Sequence, residues 1–134
     1  MRRVTPAVYQ GAYADAVNFE GLKAEGITGV LNVAGDANYE IFEKGFEHAR
    51  VPMRDGPGNP TGTVEAAATV LEMLVRRGHR VLVHCMVGRS RSPAVVLAWL
   101  VEFTGRSFAE AEEIVRSRIP EAQIHPAHLM ELRG

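Results

Sequence analysis

The segment "VLVHCMVGRSRSPAVVLAWLVEF", residues 81–103, constrains the fold more than any other part of this 134-residue chain. It opens with a short apolar run and closes with "AVVLAWLVEF", which is apolar on nearly every side of a helix. Neither half has a polar face to turn toward water, so each must be covered on all sides. A strand buried on both faces and followed closely by a buried helix belongs in a parallel sheet with helices packed against it. Pro93 behind Ser92 suits the first helical position, where its missing N–H costs nothing.

The rest of the chain repeats this alternation. "AVYQG" (7–11), "ITGVLNVAG" (27–35), "HARVPM" (48–53) and "HRVLVH" (79–84) read as strands. "DAVNFEGLKAEG" reads as one helix with Asp15 as N-cap and Gly26 just past its end. Thr63 can cap a helix in which Val64, Ala67, Ala68, Leu71, Leu74 and Val75 form one apolar stripe closed by Gly78. "SFAE", from Ser107 to Glu110, is a capping box that opens a helix ending before Pro120. "HPAHLMEL" predicts a last short helix, and "RDGPGNPTG" (54–62) is rich enough in glycine and proline to be loop. The expected fold is a single α/β domain over residues 1–134, with a mainly parallel central sheet of four to five strands flanked by helices. The loop between a central strand and the buried helix is the expected ligand-binding loop of this fold.

Charge and cysteine count exclude several classes. A net charge of −1, from 15 basic and 16 acidic residues, gives no field that would recruit nucleic acid or an anionic membrane. The two arginines near the start are followed by no long apolar core, and no run is long enough to cross a bilayer. No stable membrane anchor is expected. One cysteine cannot form an internal disulfide or a multi-thiolate metal site, which favours a reducing compartment; a cytoplasmic, monomeric protein is expected.

That cysteine, Cys85, begins the loop that joins the central strand to the helix, where open α/β sheets bind ligands. Backbone N–H groups of the loop and of the first helical turn can converge there into an anion cradle. Met86, Val87, Gly88, Arg89 and Ser90 separate Cys85 from Arg91, a length that wraps one tetrahedral oxyanion. The Arg91 guanidinium can then hold two of the anion's oxygens. The same dipoles favour a thiolate, since helix N-termini and neighbouring cations lower a cysteine's pKa from about 8.5 into the range of roughly 3.5–7.5. Cys85 is therefore expected to be a nucleophile aimed at phosphorus. Ser92 can donate its hydroxyl to the sulfur, and Gly88 permits a backbone turn that a Cβ would obstruct.

The motif His-Cys-x5-Arg-Ser, carried by His84, Cys85, Arg91 and Ser92, resembles the catalytic loop of the cysteine-dependent protein tyrosine phosphatases. The compact length, "VLNVA" in an early strand and "VLVHC…GRSRSPAVVLAWL" are similar to the dual-specificity branch. The likeness runs from about Val8 to the terminal helices. It implies phosphomonoester hydrolysis through a cysteinyl-phosphate intermediate, with no cofactor and no metal. The expected substrate is a phosphorylated protein or small phosphomonoester. It further implies that His84 orients the loop. The short stretch before the first sheet strands predicts a shallow pocket, open to phosphoserine and phosphothreonine as well as phosphotyrosine.

Cleavage needs a proton for the departing oxygen. Asp55, in "VPMRDGPGNP", sits where the resemblance places the general acid, which later activates water as carboxylate. Asp36, in "AGDANYE", is its rival. "GRSRS", with Arg89, also resembles loops of phosphoinositide and other phospholipid phosphatases, although those usually carry lysine where this chain has Met86. A rhodanese-like sulfurtransferase and a non-catalytic phosphate-binding module are the readings from other classes. His125 and His128 lack a nearby third ligand and are expected to be surface or packing residues. Trp99 is expected to pack beneath the buried helix.

Overall fold

The computed structural model describes residues 1–37 and 45–133. The apolar run Val81–His84 forms β5 at the centre of a five-stranded sheet. β2 (Val8–Gly11) lies on one side of it and β3 (Gly29–Ala34) on the other, both parallel to it. β4 (Glu47–Met53) extends the sheet beyond β3, and β1 (Arg2–Arg3) adds an antiparallel edge beyond β2, for the order β1-β2-β5-β3-β4. The two-residue β1 has no apolar signature, so nothing in its sequence announces it. β2, β3 and β5 are buried throughout, whereas β4 alternates between covered and exposed positions as an edge strand does.

Successive side chains of a strand face opposite sides, and the two faces carry separate cores. Val8, Leu31, Val33, Val81 and Val83 face α3 (Thr63–Arg76), α4 (Arg91–Phe103) and α5 (Phe108–Arg118). Tyr9, Val30 and Leu82 face α1 (Tyr13–Ala16) and α2 (Phe19–Ala24), where Ala16 and Leu22 complete a smaller cluster. The helix α4 is buried from Arg91 to Leu100, as its lack of a polar side requires. Trp99 packs in the larger core, and its Nε1 donates to Glu72 Oε1 at 3.0 Å.

The chain departs from the sequence expectations at element ends. The helix expected to start at Asp15 is two helices, because Asn18 supplies a second cap whose Oδ1 accepts from Gly21 N–H at 3.2 Å. Asp15 does not cap from in front; it lies inside α1 and reaches back to the Ala12 N–H at 2.8 Å. Gly62, not Thr63, is the N-cap of α3, and the Thr63 hydroxyl donates instead to Pro60 O at 2.6 Å. α4 starts at Arg91 with Ser90 as N-cap, so Pro93 is its third residue, still within the turn whose N–H groups need no helical acceptor. The terminal segment divides into a 3-10 turn, Pro126–His128, and α6, Met130–Arg133.

The register places Gly11 and Asn32 directly beside His84, so the carboxyl ends of β2, β5 and β3 are level. The loops that leave those ends meet at one edge of the sheet. No helix among the described residues is long and apolar enough to cross a membrane.

Candidate active site

Cys85 follows β5 directly, and the turn from 85 to 90 returns the chain into α4. The hydrogen bonds of this turn fix which way its peptides face. His84 Nδ1 donates to Cys85 O at 3.0 Å, and Tyr13 N–H donates to Met86 O at 3.0 Å. Gln10 Nε2 donates to Gly88 O at 2.8 Å, Gln123 N–H to Arg89 O at 2.7 Å, and Ala94 N–H to Ser90 O at 3.0 Å. In a planar trans peptide the C=O and the following N–H point in opposite directions. Each carbonyl held from outside therefore leaves the next amide facing the other way. The N–H groups of Met86, Val87, Gly88, Arg89 and Ser90 have no acceptor among the described residues. Unpaired donors on a closed turn at a helix start form a nest for an anion. Gly88 makes the turn possible: its φ is +76°, and a Cβ there would lie 3.1 Å from Gln10 Nε2 and from the Gly11 backbone.

The sulfur sits on the floor of this turn, with Cys85 only 1% exposed. Ser92 Oγ lies 3.1 Å from Cys85 Sγ, placed there by the first turn of α4. Arg91 is 5% exposed, and its Nη1 donates to Asp36 Oδ1 at 2.7 Å and to Met53 O at 3.1 Å. Its Nε is buried without a partner among the described residues. A buried, unpartnered guanidinium N–H is costly unless an acceptor completes it, and an oxyanion supplies that acceptor. His84 is fully buried, and that burial holds its pKa down to about 4 against the partly offsetting hydrogen bond to Cys85 O. Because a carbonyl can only accept, Nδ1 carries the ring's proton.

The two candidate acids meet around one cavity. Asp36, Asp55, Arg54, Asn59 and Arg91 line a space of about 550 Å³ beside the turn. The hydrogen bond from Arg91 holds the Asp36 carboxyl below its ordinary range, so Asp36 is kept as an anion. Asp55 makes no such ion pair with arginine among the described residues; its Oδ1 lies 3.4 Å from His128 Nε2. Asn59 pins the Asp55 loop, accepting from Arg54 N–H at 2.8 Å and donating to Arg54 O at 2.9 Å. Gly56 N–H donates to His128 Nε2 at 3.2 Å.

Of the residues singled out from the sequence, Cys85, Arg91, Ser92 and His84 come together at the turn, and Asp55 and Asp36 stand at its mouth. Val87 and Arg89 are exposed, Met86 is half-buried, and Ser90 is buried with its Oγ accepting from His125 N–H at 3.0 Å. His128 is buried, while His125 is exposed. Among the described residues, no group of three or more histidine, cysteine or acidic side chains is placed to hold a metal ion. Sequence reasoning missed Gln10 and Asn59, and gave His128 a packing role without its tie to the Asp55 loop. The single polar residue inside the apolar strand "AVYQG" was the available signal for Gln10.

A family model described as dual specificity phosphatase, catalytic domain, matches residues 8–133. Dual specificity phosphatase 28 of Homo sapiens is 33% identical over 132 residues, which are 98% of this chain and 74% of the relative. The protein-tyrosine-phosphatase IBR5 of Arabidopsis thaliana is 32% identical over 126 residues, 94% of this chain but 47% of the relative, so the chain spans about half of that protein. The crystal structure of human DUSP28 has the same fold, with a TM-score of 0.89 at 32% identity, covering 99% of this chain and 93% of that one. Sequence, architecture and relatives converge: the chain belongs to the dual specificity phosphatase family and is a protein-tyrosine/dual-specificity phosphatase.

Proposed function

We propose that this chain hydrolyses phosphomonoesters of phosphorylated proteins through a cysteinyl-phosphate intermediate. The reading rests above all on the turn at 85–90, whose Met86–Ser90 amides are unpaired among the described residues while the carbonyls of Cys85, Met86, Gly88, Arg89 and Ser90 are each held by a donor, closed over a sulfur that a serine hydroxyl touches. In this reading the phosphoryl group is cradled by the main chain of Met86, Val87, Gly88, Arg89 and Ser90, with Arg91 Nε completing the coordination. The Cys85 thiolate attacks phosphorus, and the ester oxygen departs with a proton from Asp55. Asp55, now a carboxylate, takes a proton from water as the water attacks the thiophosphate. Phosphate leaves, and the sulfur departs as thiolate stabilised by the Ser92 hydroxyl. His84 acts indirectly, holding the Cys85 carbonyl so that the next amide faces the anion.

Asp36 is assigned a different part. An anion already paired with Arg91 is a poor proton donor, and it occupies guanidinium capacity until phosphate competes for it. The chain is read as a cytoplasmic protein, where its single thiol would stay reduced.

The test compares Asp55→Asn with Asp36→Asn on a series of aryl and alkyl phosphates. Asp55→Asn should lose about a hundredfold or more in kcat on poor leaving groups and lose the basic limb of the pH profile. Asp36→Asn should retain that limb. The reverse pattern would reassign the acid.

A further inference from the structure

We propose that Gln10 is a positioning residue that fixes the direction of the Ser92 hydroxyl, so that its proton is delivered to the Cys85 sulfur. This deepens the reading of the site given above and rests on it. Gln10 lies in β2, in register with Val83 of β5, and is 1% exposed. A buried carboxamide costs free energy unless its N–H groups are satisfied. Here the amide nitrogen has three neighbours: Gly88 O at 2.8 Å, Ser92 Oγ at 2.8 Å and Gly11 O at 3.3 Å.

Two of those neighbours are carbonyl oxygens, which only accept, so the atom facing them is the amide nitrogen and not its oxygen. A carboxamide nitrogen only donates. Ser92 Oγ must therefore accept from Gln10, and the one hydroxyl proton has to go elsewhere. Two acceptors are in reach, Cys85 Sγ at 3.1 Å and Gly11 O at 3.5 Å. The carbonyl contact is at the limit of a hydrogen bond, and that carbonyl already faces the Gln10 amide. The sulfur contact is well inside the range for sulfur. The hydroxyl is thus oriented as a donor to sulfur before any substrate arrives.

Donation from Gln10 fills one of the two acceptor positions of Ser92 Oγ and polarises its O–H; without it both positions are open and the opposite arrangement gains weight. Ser92 Oγ could accept the Cys85 S–H and pass its own proton to Gly11 O, a pattern that favours neutral thiol over thiolate. The same amide also anchors Gly88 O, so one side chain ties the apex of the turn to the hydroxyl beneath it. An apolar residue on β2 could fill the same volume, but it could neither hold Gly88 O nor polarise Ser92.

The experiment follows alkylation of Cys85 by iodoacetamide as a function of pH in four proteins: the natural chain, Gln10→Met, Ser92→Ala and the double variant. Alkylation reads the thiolate whether or not the chain turns over phosphate, so its outcome is separable from the outcome for phosphatase activity. A charge-assisted hydrogen bond lost to the sulfur should move the alkylation midpoint up by about one pH unit in Gln10→Met. Because Gln10 acts through the hydroxyl, Gln10→Met should add nothing once Ser92→Ala is present. Burst kinetics should show slower breakdown of the phosphoenzyme in Gln10→Met, by about tenfold. Gln10→Leu, which suits a buried strand, serves if Gln10→Met does not fold. An unmoved midpoint in the folded variant overturns the proposal. So does an equal upward shift in both Ser92 backgrounds, which would mark Gln10 as support for loop shape alone.

Discussion

His84 places an imidazole in the core beside the turn at 85–90, bonded to Cys85 O, and its burial gives the fold a built-in acid sensitivity. In the folded chain its pKa is lowered to about 4 from 6.5, chiefly by burial. The unfolded chain therefore binds a proton in a pH interval where the folded chain does not. The stability that depends on neutral His84 is complete above 6.5 and is lost as pH falls toward about 4, by up to about 3 kcal/mol. Urea unfolding across that interval should show this slope in the natural chain and a shallower one in His84→Gln. Equal slopes would contradict the assignment. At this scale the sequence pointed to Cys85, Arg91 and Ser92 as a group because thiol, guanidinium and hydroxyl are neighbours along the chain, and the structure gathers them at one turn. Asp55 needed the resemblance, since nothing in "MRDGPG" separates an acid from an ordinary turn aspartate. Gln10 and His128 escaped for a physical reason: their partners Gly88, Ser92 and Gly56 lie 78, 82 and 72 positions away. Contacts at such separation leave no local pattern.

Elements were legible where burial set their period and obscure where caps competed. The runs in β3 and β5 are interior throughout and that in α4 as far as Leu100, as their lack of a polar face requires. Boundaries moved wherever two capping residues stood close together, as Asp15 and Asn18 do, or where glycine and threonine competed at 62 and 63. The strand-to-helix turn depends on Gly88, whose positive φ and lack of space both exclude a side chain. Gly88→Ala should lose about 1–2 kcal/mol of stability from left-handed backbone strain alone. It should also lose at least tenfold in kcat/KM, about 1.4 kcal/mol in the barrier, because the added carbon meets Gln10 and the Gly11 backbone. Gly78→Ala is the control: φ is +90° there too, yet a Cβ meets open space, so stability should fall while activity holds. If both variants keep full activity, the turn is not shaped as described.

The whole molecule brings five separate stretches of chain to one edge of the sheet. β2 supplies Gln10, the segment after β3 supplies Asp36, β5 and α4 supply the turn, the segment after β4 supplies Asp55, and the C-terminal stretch joins these last two. Gln123 N–H holds Arg89 O, His125 N–H holds Ser90 Oγ, and His128 receives Gly56 N–H, so residues 123–128 clamp the turn at 85–90 and the Asp55 loop together. The general architecture was readable because alternating buried strands and helices admit few packings. The clamp was not, because the 3-10 turn that makes it has no strong periodicity. The claim on which all else depends is that the Cys85 sulfur carries the phosphoryl group during turnover. The direct measurement is acid quench of the protein with an aryl phosphate, followed by peptide mass analysis of natural chain and Asp55→Asn. One phosphoryl group on the peptide containing Cys85, accumulating in either protein and absent from Cys85→Ser, is the expected result. A phosphorylated residue elsewhere, or undiminished hydrolysis by Cys85→Ser, would contradict it.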